Sequence, residues 1–281
     1  MADKPAIKTT PVPLQPIEDL GRQASVAHVS RNISRTASFL MLGQVVVRLV
    51  SFGFILLAVR LLPVEEFGNL NLTLSLLMLA EAIIDCGLTR LIIRDLAREP
   101  RLIDAYLGTL IPLKVLLAVL GYILLVTVVW LADYPPALVP LSAIAGLSLL
   151  PGSLALLFDA LMHARQHMVF SSLGGIVLSL MQASGGIAAL LLGAGLPWIF
   201  LAMIGANLVY FVFLWRGAAR RGYRFTLCFD RPLAFRLLRS ALPYAGIGIL
   251  GALTARSELL VLGWFEDSAA AGFYSAAAKF P

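Results

Sequence analysis

The sequence predicts an all-α protein that crosses a membrane many times, and three observations predict it. Seven stretches of mostly apolar residues follow one another from Ala37 to Phe265, each meeting the roughly 20 residues that a helix needs to cross a hydrocarbon core about 30 Å thick. The 281 residues are 59% hydrophobic and only 14% charged, where a soluble domain carries about 25% charged residues. Lysines and arginines crowd into alternate gaps between the apolar stretches, as they do in loops held on one side of a bilayer. That placement explains the net charge of +6 without nucleic acid as a partner.

Taken in order, Met1 to about Ser25 is polar and rich in proline (Pro5, Pro11, Pro13, Pro16), a composition that favours disorder. Val26, Val29, Ile33, Ala37 and Leu40 then recur at helical spacing, with Arg31 and Arg35 off that stripe. This predicts an amphipathic lead-in at the membrane surface, so residues 1–36 form a cytoplasmic tail. The spanning helices are expected at about 37–62, 69–95, 105–132, 136–161, 168–193, 196–216 and 240–265. An eighth apolar segment begins near Ser268 and reaches Pro281. It rises about 21 Å as a helix, so the chain is expected to stop inside helix 8. A cleavable signal peptide is not expected, because the first apolar run is too long for one. Pro112, Pro151 and Pro243 fall within spans or at their starts, where proline bends a helix. Cys86 lies in a span and Cys228 in a loop, so no disulfide is expected.

The basic residues orient the chain. Lys4, Lys8, Arg22, Arg31 and Arg35 precede helix 1; Arg90, Arg94, Arg98 and Arg101 surround the helix 2–3 connection; Arg165 follows helix 4. Arg216, Arg220, Arg221, Arg224, Arg231, Arg236 and Arg239 follow helix 6. The opposite loops hold Arg60 beside Glu65, Glu66, Asp133, Glu266 and Asp267. The positive-inside rule then places the amino terminus in the cytoplasm. Residues 217–239 form a basic connector in which Phe225, Leu227, Phe229, Leu233, Phe235, Leu237 and Leu238 alternate with arginines. It reads as a linker lying on the anionic inner leaflet, or as a docking surface for a cytoplasmic enzyme or a lipid headgroup.

Several short motifs occur in a telling order. Arg60-Leu61-Leu62-Pro63 precedes Glu65-Glu66-Phe67-Gly68; Asp85, Gly87, Leu88, Arg94 and Ala97 follow; Arg256, Glu258, Leu259, Leu260, Gly263 and Phe265 lead to Gly272, Tyr274, Ala276 and Ala277. From about Asn32 to Pro281 the chain resembles the polysaccharide biosynthesis, or oligosaccharide flippase, family of the multidrug/oligosaccharidyl-lipid/polysaccharide exporter superfamily. Glu258 stands where that family more often has aspartate. The resemblance implies a two-lobe transporter around a central cavity. Residues 37–216 would be the first six-helix lobe and 240–281 the start of the second, holding helix 7 and part of helix 8. A faint echo accords with this: Leu62-Pro63-Val64-Glu65-Glu66-Phe67-Gly68 closes helix 1, and Phe265 to Gly272 closes helix 7. A six-helix repeat keeps its orientation, so the halves would be related by an axis along the membrane normal.

Charges within the spans are costly and mark pairs or wet cavities. Glu81 and Asp85, four residues apart, share a helix face. Two ionised carboxylates there repel, so one holds a proton or a cation lies near. Glu81, Asp85 and Glu258 are therefore candidates for ion or proton coupling, and the alternative is that Arg48 or Lys114 pairs with the first two to pin the lobe. Arg48, Lys114 and Arg256 are the candidate substrate-cavity residues, since cations lining a cavity suit an anionic substrate such as a lipid-linked diphosphate sugar. Arg256 and Glu258, two apart, point to different sides of their helix. The small-residue run Ala245 to Gly251 before them permits close approach or bending. Asp159 lies near His163, Arg165 and His167, which predicts surface pairing. The histidines lack further ligands, so neither a metal nor another cofactor is expected. Asn32-Ile33-Ser34 and Asn71-Leu72-Thr73 match the glycosylation pattern but fall in the cytoplasm and in a helix.

The function expected from the resemblance is flipping of a lipid-linked oligosaccharide by alternating access, for surface polysaccharide such as O-antigen lipopolysaccharide at the bacterial inner membrane. Its partners would be the bilayer, that substrate and polysaccharide assembly enzymes of the same route. A multidrug antiporter, a membrane enzyme of polysaccharide assembly and an inactive fragment are the alternatives. An enzyme is not expected, since no histidine lies within a span and no large extracytoplasmic loop could house a site.

Overall fold

Among the described residues, seven helical spans are long and apolar enough to cross a bilayer, and they run back and forth in the computed structural model of the chain. The structure describes residues 41–132, 134–223, 229–266 and 268–277. The tail with its amphipathic lead-in, Asp133, Arg224 to Cys228, Asp267 and the last four residues lie outside them. By its contacts the chain divides into Met1–Leu42 and Gly43–Pro281, and the second unit is the helical bundle. Among the described residues there is no strand.

The helices are α1 (Met41–Leu61), α2 (Val64–Asp85), α3 (Leu88–Arg98), α4 (Ile103–Leu131), α5 (Leu138–Gly146), α6 (Leu149–Ala164), α7 (Met168–Leu191), α8 (Leu196–Arg220), α9 (Arg231–Phe265) and α10 (Ser268–Ala277), with one 3₁₀ turn at Pro100–Leu102. Helix α2 is the most enclosed, touching α4, α5, α6, α9 and α10. It carries polar residues that a lipid-facing helix could not, and folds them back on its own carbonyls. Asn71 Nδ2 donates to Phe67 O, Thr73 Oγ1 to Asn69 O and Ser75 Oγ to Asn71 O, each at 2.8 Å. Such i−4 bonds satisfy the polar groups where no water is present. Asn71 is buried, in keeping with discounting it as a glycosylation site.

Two spans are interrupted where the apolar pattern runs on. The single helix expected at 69–95 is α2 and α3, separated at Cys86 and Gly87, whose φ angles of 46° and 72° are left-handed. A Cβ at Gly87 would strike the backbone of Tyr244 and Ala245 in α9, so the turn and the close approach both require glycine. The span expected at 136–161 is α5 and α6, broken at Leu147–Ser148. Pro151 cannot donate to the Leu147 carbonyl, and it sits in the first turn of α6, where the missing N–H costs little. Pro112 and Pro243, by contrast, lie inside continuous helices.

Among the described residues, most arginines gather at one end of the bundle, around the α3–α4, α6–α7 and α8–α9 connections. Helix α9 begins at Arg231 rather than near 240, and its 35 residues extend about 52 Å, well beyond the hydrocarbon. Leu233, Ala234 and Leu237 therefore bury in the core beside Leu88, Leu91, Ile92 and Leu96 of α3. That part of the connector packs into the bundle instead of lying on a leaflet. A second core forms at the other end, from Leu70, Leu72, Leu76, Leu138, Leu149, Phe200 and their neighbours.

At that second end, the starts of α2 and α10 pack on one another. A Cβ at Gly68 would strike the Ser268 carbonyl, and one at Gly272 would strike the Val64 carbonyl. Ser268 Oγ donates to Asn69 Oδ1 at 2.7 Å. The segments that echo each other in sequence thus meet reciprocally: the glycine of each lies on the first helical residue of the other.

Candidate functional site

An apolar cavity of about 410 Å³ lies between α1, α2, α7, α8 and α9. Its wall is built by helical spacing. Ser51, Phe54, Ile55 and Ala58 of α1 are three, four and seven apart, as are Phe67, Leu70, Asn71 and Leu74 of α2, so each set forms one face. Phe200 and Met203 of α8 add to the apolar wall, with Ser179 and Gln182 of α7 as polar points. Arg256 of α9 is its one charged residue among the described residues. It stands nine residues before the end of α9, about 14 Å along the axis.

Arg256 is half-buried, and among the described residues it has no ion-pair partner. It also borders a smaller cavity of about 180 Å³ with Asn71, Glu258, Tyr274 and Ser275. Glu258 is exposed and accepts a hydrogen bond from the Tyr274 hydroxyl. The two charged residues, expected on different sides of α9, both border this smaller cavity, without an ion pair between them. Arg256 and Asn71 line both cavities, so an anion where they adjoin would meet the Arg256 guanidinium.

The cavity face of α2 continues past Leu74 through Met78 and Glu81 to Asp85, at intervals of three and four. Met78 and Glu81 are exposed. On α1, Arg48 is one turn from Ser51 on the same side and is also exposed. Of the three cations expected in a substrate cavity, the structure places Arg256 on the wall and Arg48 on the open continuation of that face.

Lys114 is elsewhere. Its side chain is completely buried, and Nζ donates to Asp85 Oδ1 at 2.7 Å. Thr89 Oγ1 donates to the same oxygen. The sequence left open whether Arg48 or Lys114 meets the α2 carboxylates, and the pair formed is Lys114–Asp85. Glu81 joins them around a small void with Ser153 and Leu149. This polar girdle lies where α2 gives way to α3, between the two apolar cores. Lys114 is committed within the bundle, and its ammonium is not free for a ligand.

At the basic end some of the charges are structural. Arg94 Nε pairs with Asp95 at 2.8 Å and its Nη1 donates to Tyr244 Oη at 3.0 Å, while Tyr106 Oη donates to Asp95 at 3.1 Å. Asp159 accepts from the Ser171 hydroxyl and faces His163 Nε2 at 3.6 Å, the pairing expected of it. Among the described residues no cluster of potential ligands could hold a metal. Of the uncharged wall residues, Ser51 and Gln182 were not singled out from the sequence and Asn71 was met only in a glycosylation pattern, because such residues are ordinary in packed membrane helices and carry no spacing signal.

A family model described as polysaccharide biosynthesis protein matches residues 33–280. Comparisons with curated proteins and with solved structures give no match.

Proposed function

The chain belongs to the polysaccharide biosynthesis protein family, and from that premise we propose that it takes part in moving a lipid-linked oligosaccharide across the bacterial inner membrane, with its amino terminus in the cytoplasm. One observation carries the reading: Arg256 stands on the wall of a largely apolar cavity with no ion-pair partner among the described residues. A guanidinium so placed suits a diphosphate, which it can meet with two parallel hydrogen bonds. The cavity's apolar wall suits the lipid next to that headgroup. Arg48, on the exposed continuation of the same face, would meet the anion on its way. Movement would follow alternating access, with Glu81 and Glu258 as the carboxylates available for coupling. No bond is made or broken in such a step, so the protein is read as a transporter and not an enzyme.

The test is translocation of lipid-linked oligosaccharide by the protein as it exists in its host membrane. Arg256→Ala should lower the rate by roughly ten-fold or more, the worth of one charged hydrogen-bonding group, with normal insertion. Arg48→Ala should lower it less. Undiminished translocation in both variants would overturn the assignment. A cavity built for cationic drugs would place a carboxylate where Arg256 stands, which ranks drug export below the flippase reading.

A further inference from the structure

A second cavity, of about 530 Å³, opens on the outer side of the α7–α8 pair at the basic end. It is open to the surroundings, and its two halves differ in chemistry. Val209, Val212 and Phe213 line the part nearer the bundle's middle, and Arg216, Arg220 and Arg221 rim the part at the end of α8. These positions recur at three and four, so one side of α8 is greasy for a turn and cationic for the next. On α8, Met203 of the central cavity and Arg216 are thirteen residues apart, which turns them about 140° from each other. The groove is therefore not a continuation of the central cavity.

The cationic rim is built, and part of it is uncommitted. Arg221 Nη1 donates to the Gly217 carbonyl at 2.8 Å, and its guanidinium lies over the Phe170 ring at 4.4 Å. Phe170 is itself stacked on Phe213, with centroids 4.4 Å apart. Arg221 is thereby held at the mouth. Arg216 and Arg220 are exposed and, among the described residues, have no ion-pair partner. Gly217, between them, admits the Phe170 ring, which a Cβ would strike. Aromatic and apolar walls below a triple arginine rim match one class of occupant: an amphiphile with an anionic head and a hydrocarbon chain. We infer that this groove binds an anionic phospholipid, its phosphate on Arg216, Arg220 and Arg221 and its acyl chain along Val209, Val212 and Phe213. Basic pockets between membrane helices on the cytoplasmic side take lipid phosphates in this way.

The molecule supplies its own probe. Of the four tryptophans, Trp130, Trp198 and Trp264 lie at the end opposite the arginines, and Trp215 alone stands beside the groove, partly exposed. The variant W130F/W198F/W264F, reconstituted in phosphatidylcholine nanodiscs, reports on it. Brominated phosphatidylglycerol should quench Trp215 at lower mole fraction than brominated phosphatidylcholine. R216Q/R220Q should weaken that preference by roughly five-fold for each arginine removed, and R98Q/R101Q, at the same end of the bundle, should not. Equal quenching by the two lipids, or equal loss in both double variants, would overturn the inference in favour of diffuse attraction to the basic end. Displacement by inorganic pyrophosphate without loss of lipid from the nanodisc would assign the arginines to a soluble anion instead. Native mass spectrometry of the unaltered protein gives the same comparison should the tryptophan variant fold poorly: retention of phosphatidylglycerol over phosphatidylcholine supports the site, and equal retention removes it.

Discussion

Lys114 shows what one residue can demand of a fold inside a membrane. Its ammonium is fully buried against Asp85, and a buried pair is far more costly to break than it is valuable to form. Asp85→Asn leaves the charge unpaired and should destabilise the bundle by about 3–5 kcal/mol, seen as unfolding at lower denaturant. The double variant D85N/K114M should recover most of that loss, and no recovery would show that the carboxylate acts through other partners. His167 makes a subtler demand at the basic end, between α6 and α7. Burial, aided by the charges of Arg221 and Arg165, holds it below the usual histidine value of 6.5. The folded chain then binds fewer protons than the unfolded one as pH falls through about 6.5, so stability drops there and levels off below the folded value. Thermal unfolding followed from pH about 7 to about 5 should show this slope, and His167→Gln should flatten it. An unchanged slope would place the titration elsewhere.

At the scale of elements, the breaks carry the information. Gly87→Ala forces a side chain into a left-handed turn and against the α9 backbone, and should cost about 1–3 kcal/mol through backbone strain alone; a wild-type melting temperature would argue against it. The number of spans, their order and the basic end were all legible, because hydropathy and arginine placement act over whole segments. The break at Cys86–Gly87 was not, because the apolar pattern of α2 runs straight into α3 and the reason for the turn is α9, far along the chain. The break before Pro151 had a local signal in the proline itself, which a reading by apolar run length passes over. Of the candidate site residues, the choice of Lys114 over Arg48 as partner for Asp85 depends on how α4 and α1 sit against α2. Spacing along one helix does not hold that fact. The same limit hid Asn71 and Gln182, whose place on a cavity wall is set by three other helices.

The whole molecule has a polarity that labelling can read. With Cys86 and Cys228 replaced by serine, E65C should react with an impermeant maleimide in intact cells and R98C only after permeabilisation; the reverse pattern would invert the proposed orientation. Equal reactivity would put both ends in one compartment, contrary to the spans. The reciprocal seating of Gly68 on Ser268 and Gly272 on Val64 reaches further than packing. A surface that meets its own copy in this way is what two identical subunits share across a dyad. Such a pair needs only one gene, and a single glycine change in it would have opened both contacts at once. Within one chain the two glycines mutate separately, yet neither can be lost without the contact it serves.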